Sequence, residues 1–180
     1  MSKKKARWRK LDNAAKLYSA ASNKKDTRVF RFYCELKEEV NPDVLQEALN
    51  QTIETFPTFL MVLRKGLFWH YLEPCNLRPI VKEEYKEPCS RLYIKDKKTL
   101  LFEVTYYKKR INFEAFHVLT DGTGATEFLK ELVKNYRNQI KDGLNEIKEQ
   151  YFGVPFETAA KYLQEAGGPV GVLIDLTLRF

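Results

Sequence analysis

The segment EAFHVLTDGTGATEFL, residues 114–129, joins an alternating strand directly to a long amphipathic helix. Successive side chains of a strand point to opposite faces, so every second residue before the junction shares a face. The residues on that face are Ile111, Phe113, Ala115 and His117. Apolar residues then recur at helical spacing from Thr123 onward: Ala125, Phe128, Leu129, Leu132, Val133, Tyr136 and Ile140. The junction therefore restricts the chain to folds in which a sheet and a helix share one core.

Strand and helix patterns alternate along the rest of the chain. Residues 28–36, RVFRFYCEL, alternate as a strand, and Asn41 and Pro42 supply the cap and first position of a helix. The apolar stripe of that helix is Val44, Leu45, Ala48, Leu49, Ile53 and Phe56. Hairpin turns are predicted at Arg64-Lys65-Gly66 and Lys108-Lys109-Arg110, and a last helix and strand near 156–166 and 170–178. The predicted fold class is α/β (α+β), with a mixed, mostly antiparallel sheet flanked by helices.

Length and composition narrow the class of protein. The chain has 180 residues, 44% of them hydrophobic and 31% charged, which are values of a single globular domain. No apolar run approaches the roughly 18 residues of a membrane span, and no signal peptide pattern is found, so we expect a cytoplasmic protein. Three widely spaced cysteines and only two histidines offer no ligand set for a metal, so none is predicted.

The positive charge is concentrated at the N-terminus. The formal net charge is +7, and residues 1–10, MSKKKARWRK, carry six basic and no acidic side chains. Such a segment suits either a nucleic-acid-binding arm or a solvated tail. We favour a flexible basic tail, because the remainder is nearly charge-balanced and carries no nucleic-acid-binding motif.

His117 has two interpretations from the residues alone. An imidazole at the end of a strand titrates near pH 6.5 when unperturbed, so it can accept a proton at neutral pH. Asp121 and Gly122 follow in a tight connection, where they can orient the loop and permit the turn. The alternative is a hydrogen-bonded core histidine followed by an ordinary cap and turn.

A family resemblance favours the chemical interpretation. His117-Val118-Leu119-Thr120-Asp121-Gly122 resembles the HxxxDG motif of the chloramphenicol acetyltransferase-like superfamily, which includes the condensation domains of peptide synthetases. The order of strand, helix, paired strands, motif strand and helix is also similar to the N-terminal half of that family. WRKLDNAAKLYSA, residues 8–20, most resembles the opening of bacterial alcohol acetyltransferase-like proteins. The resemblance spans roughly residues 7–140.

The resemblance implies a coenzyme A-dependent acyltransferase. By analogy, His117 is the general base that takes a proton from a small alcohol or amine, which then attacks the thioester of acyl-CoA or of a carrier-bound pantetheine. Acetyl-CoA is the expected co-substrate, no cofactor is bound, and no acyl-enzyme forms. Asp121 is expected to hold the loop through a salt bridge with Arg28 or Arg31, and Gly122 to give room for the turn.

The chain departs from the family in one respect. Full-length members contain a second half with a DFGWG-like motif, which this sequence lacks. The predicted organisation is a basic tail at 1–10, an acyltransferase-like half domain at 11–145, and a helix and strand at 146–180 that the sequence does not assign to the fold. Three explanations stay open: a fragment of a longer enzyme, self-association that completes the site, or a non-catalytic binding or assembly module.

Overall fold

The computed structural model describes residues 9–11, 13–22, 26–67, 69–95 and 97–152. The predicted helix near 156–166, the predicted strand near 170–178 and most of the basic segment lie outside these residues. The chain divides into two compact units between Arg137 and Asn138, and the contacts below belong to the first. The elements are β1 (Arg9–Lys10), α1 (Asn13–Ala21), β2 (Val29–Glu35), α2 (Pro42–Thr55), a short 3₁₀ turn (Pro57–Phe59), β3 (Met61–Lys65), β4 (His70–Pro74), β5 (Lys82–Glu83), β6 (Phe102–Tyr107), β7 (Arg110–Phe116) and α3 (Gly122–Phe152).

The strands form two sheets. The smaller sheet has the order β1-β4-β3, and the larger has the order β2-β7-β6-β5. All pairs are antiparallel except β5 with β6, so the larger sheet is mixed. This confirms the predicted fold class. Arg9 and Lys10, which the sequence assigned to the tail, instead pair with β4.

Local sequence explains the first long helix. The Asn41 side chain accepts hydrogen bonds from the backbone N–H groups of Asp43 and Val44, and Pro42 occupies the first turn. These bonds satisfy donors that have no partner within the helix. Both predicted hairpins are present. In the first, however, Arg64 and Lys65 belong to β3, and the turn lies between Lys65 and His70.

The central strand β7 is covered on both faces. It lies between β2 and β6, and six of its seven residues are buried. Ile111, Phe113 and Ala115, which were predicted to share one face, are buried, but so are Asn112 and Glu114 on the opposite face. The alternation of apolar and polar residues along β7 therefore does not distinguish a buried face from an exposed one. A buried glutamate needs partners, and Glu114 receives a hydrogen bond from Arg31 at 2.8 Å.

An aromatic cluster joins the larger sheet to α3. Phe128 of α3 stacks on Phe113 of β7 at 4.7 Å and on Phe59 of the 3₁₀ turn at 4.5 Å between ring centroids. Phe102 of β6 lies 5.4 Å from Phe128. Each buried aromatic side chain removes roughly 150–250 Å² from water, so this cluster is a principal source of stability. It fixes the first turns of α3 against β7 and so determines the geometry of the connection between them.

Polar contacts join α2 to α3 beside this cluster. The Tyr136 hydroxyl accepts a hydrogen bond from the backbone N–H of Asn41 at 2.9 Å. The buried side chain of Asn135 donates to the hydroxyl of Thr52 at 3.1 Å. These bonds satisfy polar groups inside the packed layer and fix the helices in register.

Candidate active site

His117 lies in the turn that immediately follows β7. Its backbone N–H donates to the carbonyl oxygen of Arg28 at 3.0 Å, so the turn is fastened to the start of β2. The N–H of Leu119 donates to the carbonyl of Phe116 at 2.8 Å and closes the turn. The histidine is therefore carried by the end of the central strand rather than by a free loop.

Two aromatic rings enclose the imidazole of His117. The ring of Tyr18, from α1, stacks on it with centroids 4.8 Å apart and planes at 26°. The ring of Phe30, from β2, lies 4.3 Å away at 39°. Within the described part of the chain, no side-chain hydrogen bond to the imidazole is found. The ring is thus positioned by packing, and its nitrogens have no partner there that would compete with an incoming proton donor.

Burial lowers the pKa of His117 below its usual value. The positive charge of Arg28 adds to this effect, and the negative charge of Asp121 partly opposes it. Removal of water disfavours the charged imidazolium, which is why packing against aromatic rings lowers the pKa. At neutral pH the imidazole is therefore in the neutral form, which can accept a proton.

Asp121 caps α3 and does not form the predicted arginine salt bridge. Its Oδ1 accepts a hydrogen bond from the backbone N–H of Gly124 at 2.8 Å, and its carbonyl accepts from Ala125 at 3.0 Å. Arg28 pairs with Asp26 at 2.9 Å, and Arg31 pairs with Glu114 and Glu84. The expectation of a bond from Asp121 to either arginine is wrong, because nearer carboxylates bind both.

The two glycines of the motif loop differ in what they allow. A Cβ added at Gly122 would meet only the Cζ of Phe32 at 3.8 Å, an ordinary contact. A Cβ at Gly124 would overlap the hydroxyl oxygen of Thr120. The close approach is therefore at Gly124, two residues after the position expected from the motif, and an added side chain there would have to displace the Thr120 hydroxyl.

Two residues of this site, Tyr18 and Phe30, were not predicted from the sequence. Tyr18 belongs to α1, a helix that the sequence pattern does not predict, and Phe30 is one residue of the alternating segment 28–36. The alternation of β2 places Phe30 on the face that His117 shares, so that contact could be inferred once β2 is paired with β7. No local pattern marks Tyr18, because its contact is made only in the folded chain.

Two of the clefts on the described surface have volumes of several hundred Å³, and neither contains the motif. One, of about 370 Å³, lies between β6 and residues 77–99. The other, of about 450 Å³, lies between β2 and α3. His117 and Asp121 line neither, so these clefts give His117 no enclosed pocket for an acceptor or an acyl donor.

Within the part of the chain that is described, no group of three or more potential ligand residues could hold a metal ion. The described helices also include none that is long and apolar enough to cross a membrane. The cytoplasmic location stays a prediction.

Comparison with known proteins shows similarity of fold without recognisable similarity of sequence. No family model matches the chain, and no curated protein matches it. The starter condensation domain of rhizomide synthetase is similar with a TM-score of 0.62 and 13% identity, over 76% of this chain and 39% of that one. The first condensation domain of the calcium-dependent antibiotic synthetase gives 0.57 and 15%, over 77% and 39%.

A third similar structure is the polyketide synthase associated protein 5 of Mycobacterium tuberculosis. Its TM-score is 0.55 at 17% identity, over 75% of this chain and 34% of that one. The chain therefore has a condensation-domain-like fold over about three quarters of its length. It spans less than two fifths of each of these three chains.

Proposed function

We propose that this chain is the motif-bearing half of a coenzyme A-dependent acyltransferase, in which His117 is the general base. The observation that carries the proposal is the imidazole of an HxxxDG sequence, which packs against the rings of Tyr18 and Phe30 just after the central strand. Burial lowers the pKa of this imidazole. The condensation-domain-like fold supports the general class. The similarity to bacterial alcohol acetyltransferase-like proteins suggests a small alcohol or amine as the acceptor.

The proposed reaction moves one proton and one acyl group. The neutral imidazole of His117 accepts the proton of the acceptor hydroxyl or amine while that oxygen or nitrogen attacks the thioester carbonyl carbon of acyl-CoA. The carbon–sulfur bond then breaks, and the departing thiolate recovers the proton from the imidazolium. General-base assistance of this kind contributes about 10²–10⁴ in rate.

Asp121 and Gly122 support the base in this proposal without touching the reacting atoms. Asp121 fixes the start of α3 through its bond to Gly124, and its negative charge raises the pKa of His117 against the lowering by burial and by Arg28. Gly122 begins α3 directly after the capping aspartate. Asp121 therefore affects the basicity of the imidazole, whereas Gly122 serves only as the first residue of the helix.

The acyl-donor site requires a second partner in this proposal. His117 lines neither described cleft, and the chain spans only 39% of the rhizomide condensation domain. The missing wall is supplied either by a second half or by self-association, as chloramphenicol acetyltransferase builds its site between subunits. A second candidate function is a non-catalytic binding or assembly module that keeps the fold, and it is favoured by the absence of His117 from the lining of both clefts.

The test is release of free thiol from acetyl-CoA with a panel of small alcohols and amines. We compare wild type, His117→Ala and, as the matched control, His70→Ala in β4. Acceptor-dependent release that falls by about 10²–10⁴ in His117→Ala but not in His70→Ala would support the proposal. Equal release from both variants would exclude His117 as the base.

If the wild type releases no thiol, sedimentation analysis should then measure its oligomeric state. A stable oligomer with no activity towards the panel would favour the assembly module. All variants must show the wild-type melting curve for the comparison to hold.

A further inference from the structure

The cleft between β6 and the segment that precedes it carries an excess of positive charge. It lies along the outer edge of β6, where β5 covers only Thr105 and Tyr106, and its volume is about 370 Å³. We call it the basic cleft, defined by its basic side chains: Arg78, Lys82, Lys86, Arg91 and Lys98. Among the described residues that line it, the only acidic one is Glu103.

Most of these charges are not neutralised by the described part of the protein. Lys86 pairs with Glu103 at 2.7 Å, so those two charges cancel. Arg78, Arg91 and Lys98 are exposed and form no ion pair with any described residue. The ammonium of Lys82 lies 5.4 Å from the centre of the Tyr85 ring. Four cations thus face one concavity, an arrangement that concentrates positive potential and attracts anions.

Apolar surface lies beside these charges. Ile80, Tyr85 and Ile94 line the basic cleft and are 65%, 60% and 44% exposed. The hydroxyl oxygen of Thr99, also in the lining, is buried and has no hydrogen-bond partner in the described structure. Exposed isoleucine side chains and a buried hydroxyl without a hydrogen bond are not expected on a surface whose only role is to keep charged side chains in water. Together these features fit a ligand with both an anionic and an apolar part.

We infer that the basic cleft binds a small molecule with clustered phosphates joined to a planar or apolar group. Several phosphates match four cations better than a single carboxylate does, since arginine and lysine bind phosphate oxygens through charge-assisted hydrogen bonds. The planar or apolar part lies against Ile80, Ile94 and the Tyr85 ring. The inference is independent of the proposed acyl transfer, because His117 and Asp121 do not line this cleft.

The test is direct binding measured by isothermal titration calorimetry on the full chain. The probes are inorganic pyrophosphate, adenosine 3′,5′-bisphosphate and ATP. We expect saturable binding of at least one nucleotide, tighter than binding of pyrophosphate. The two nucleotides separate a coenzyme A-type bisphosphate from a nucleoside triphosphate as the source of the phosphates.

The variant Arg78→Gln/Arg91→Gln should weaken nucleotide binding about tenfold or more, because it removes charge-assisted contacts. The matched control is Lys130→Gln/Lys134→Gln, which removes two positive charges from exposed positions on α3 outside the basic cleft. Binding should change less than about twofold in the control, and His117→Ala should bind as wild type does.

Several results would overturn the inference. These are no saturable binding at millimolar probe, equal weakening in the control variant, or loss of binding in His117→Ala. If pyrophosphate binds as tightly as the nucleotides do, the planar or apolar part of the ligand contributes nothing to binding, and that part of the inference is excluded. Binding of single-stranded RNA with no binding of the small probes would assign the cleft to nucleic acid instead.

Discussion

His117 stacks on Tyr18 with ring centroids 4.8 Å apart, although the two residues belong to the turn after β7 and to α1. The guanidinium carbon of Arg28 lies 6.0 Å from the centre of the same tyrosine ring. The Tyr18 ring thus contacts the candidate base and also lies near a cation that affects the pKa of that base. This arrangement makes α1 part of the candidate site.

Removing the Tyr18 ring should raise the pKa of His117. Tyr18→Ala admits water to the imidazole, so the pKa should rise towards the ordinary value, whereas Tyr18→Phe keeps the packing and should leave it nearly unchanged. The measurement is an NMR titration of the imidazole C–H signals, which His70→Ala assigns because the chain has only two histidines. A titration of Tyr18→Ala that matches wild type would show that this ring does not shield His117.

Charge changes around His117 should shift its pKa in opposite directions. Arg28→Gln removes a nearby positive charge and should raise the pKa, while Asp121→Asn removes a negative charge and should lower it. Because the folded-state pKa lies below the unfolded one, the unfolded chain binds more protons just below the usual histidine pKa. Folding stability is therefore lost as pH falls through that window, and the loss should be smaller in Arg28→Gln.

The checks for this pair are the same NMR titration and urea unfolding at pH 5 and pH 7. In an active assembly, the acid limb of kcat/KM should follow the measured pKa of His117 in each variant. Shifts of the same sign in both variants would contradict the electrostatic account.

The sequence predicted elements whose signals are local. The Asn41 cap, the stripe of α2 and the hairpin at Lys108-Lys109 each depend on residues that are neighbours along the chain, and all three are present. The turn at Lys108 has a φ of 52°, the left-handed conformation that a tight connection requires. The positions of His117 and Asp121 could be predicted for the same reason, because the strand before them and the helix after them are strongly periodic.

The partners of the site residues depend on strand register, which the sequence does not contain. Arg31 is directly opposite Glu114 in the pairing of β2 with β7, and this places its guanidinium on a buried carboxylate rather than on Asp121. Likewise, Tyr18 reaches His117 only because α1 packs beside the end of β7. Pairing and packing of this kind are set by the whole core, so the salt bridge could not be assigned from the motif alone.

Capping by Asp121 predicts a difference between its two neutral replacements. Asp121→Ala removes the acceptor for the Gly124 N–H and should destabilise the chain by about 0.5–2 kcal/mol. Asp121→Asn keeps a side-chain oxygen at the same place and should lose much less. Thermal unfolding of both variants is the measurement. Equal losses would indicate that the charge of Asp121, rather than its hydrogen bond, provides the stability.

Substitution by alanine should change the melting temperature differently at Gly122 and at Gly124. Gly122→Ala meets only an ordinary contact with Phe32 and should melt at or above the wild-type temperature, because alanine favours helix. Gly124→Ala forces the Thr120 hydroxyl away from its bond to the Asp121 carbonyl and should melt below Gly122→Ala. Adding Thr120→Ala to Gly124→Ala should recover most of the loss. If it does not, the cause is not the overlap with Thr120.

The buried carboxylate of Glu114 should be the most sensitive polar position of the larger sheet. Glu114 is 1% exposed, and its Oε1 accepts hydrogen bonds from Arg31 at 2.8 Å and from the backbone N–H of Cys89 at 2.6 Å. Glu114→Ala leaves the guanidinium and that N–H without this acceptor. Arg31 keeps its ion pair with Glu84, so the main cost is the loss of a buried acceptor, and we expect the free energy of unfolding to fall by about 1–3 kcal/mol.

The matched control for Glu114 is an ion pair in the other sheet. Arg64 and Glu73 are 3.1 Å apart but have side chains that are 39% and 40% exposed. Water screens such a pair, so Glu73→Ala should cost no more than about 1 kcal/mol. Urea unfolding of the two variants measures both losses under the same conditions. Similar losses at the two positions would mean that the Glu114 carboxylate is hydrated and that the sheet is open at β7, in conflict with its burial between β2 and β6.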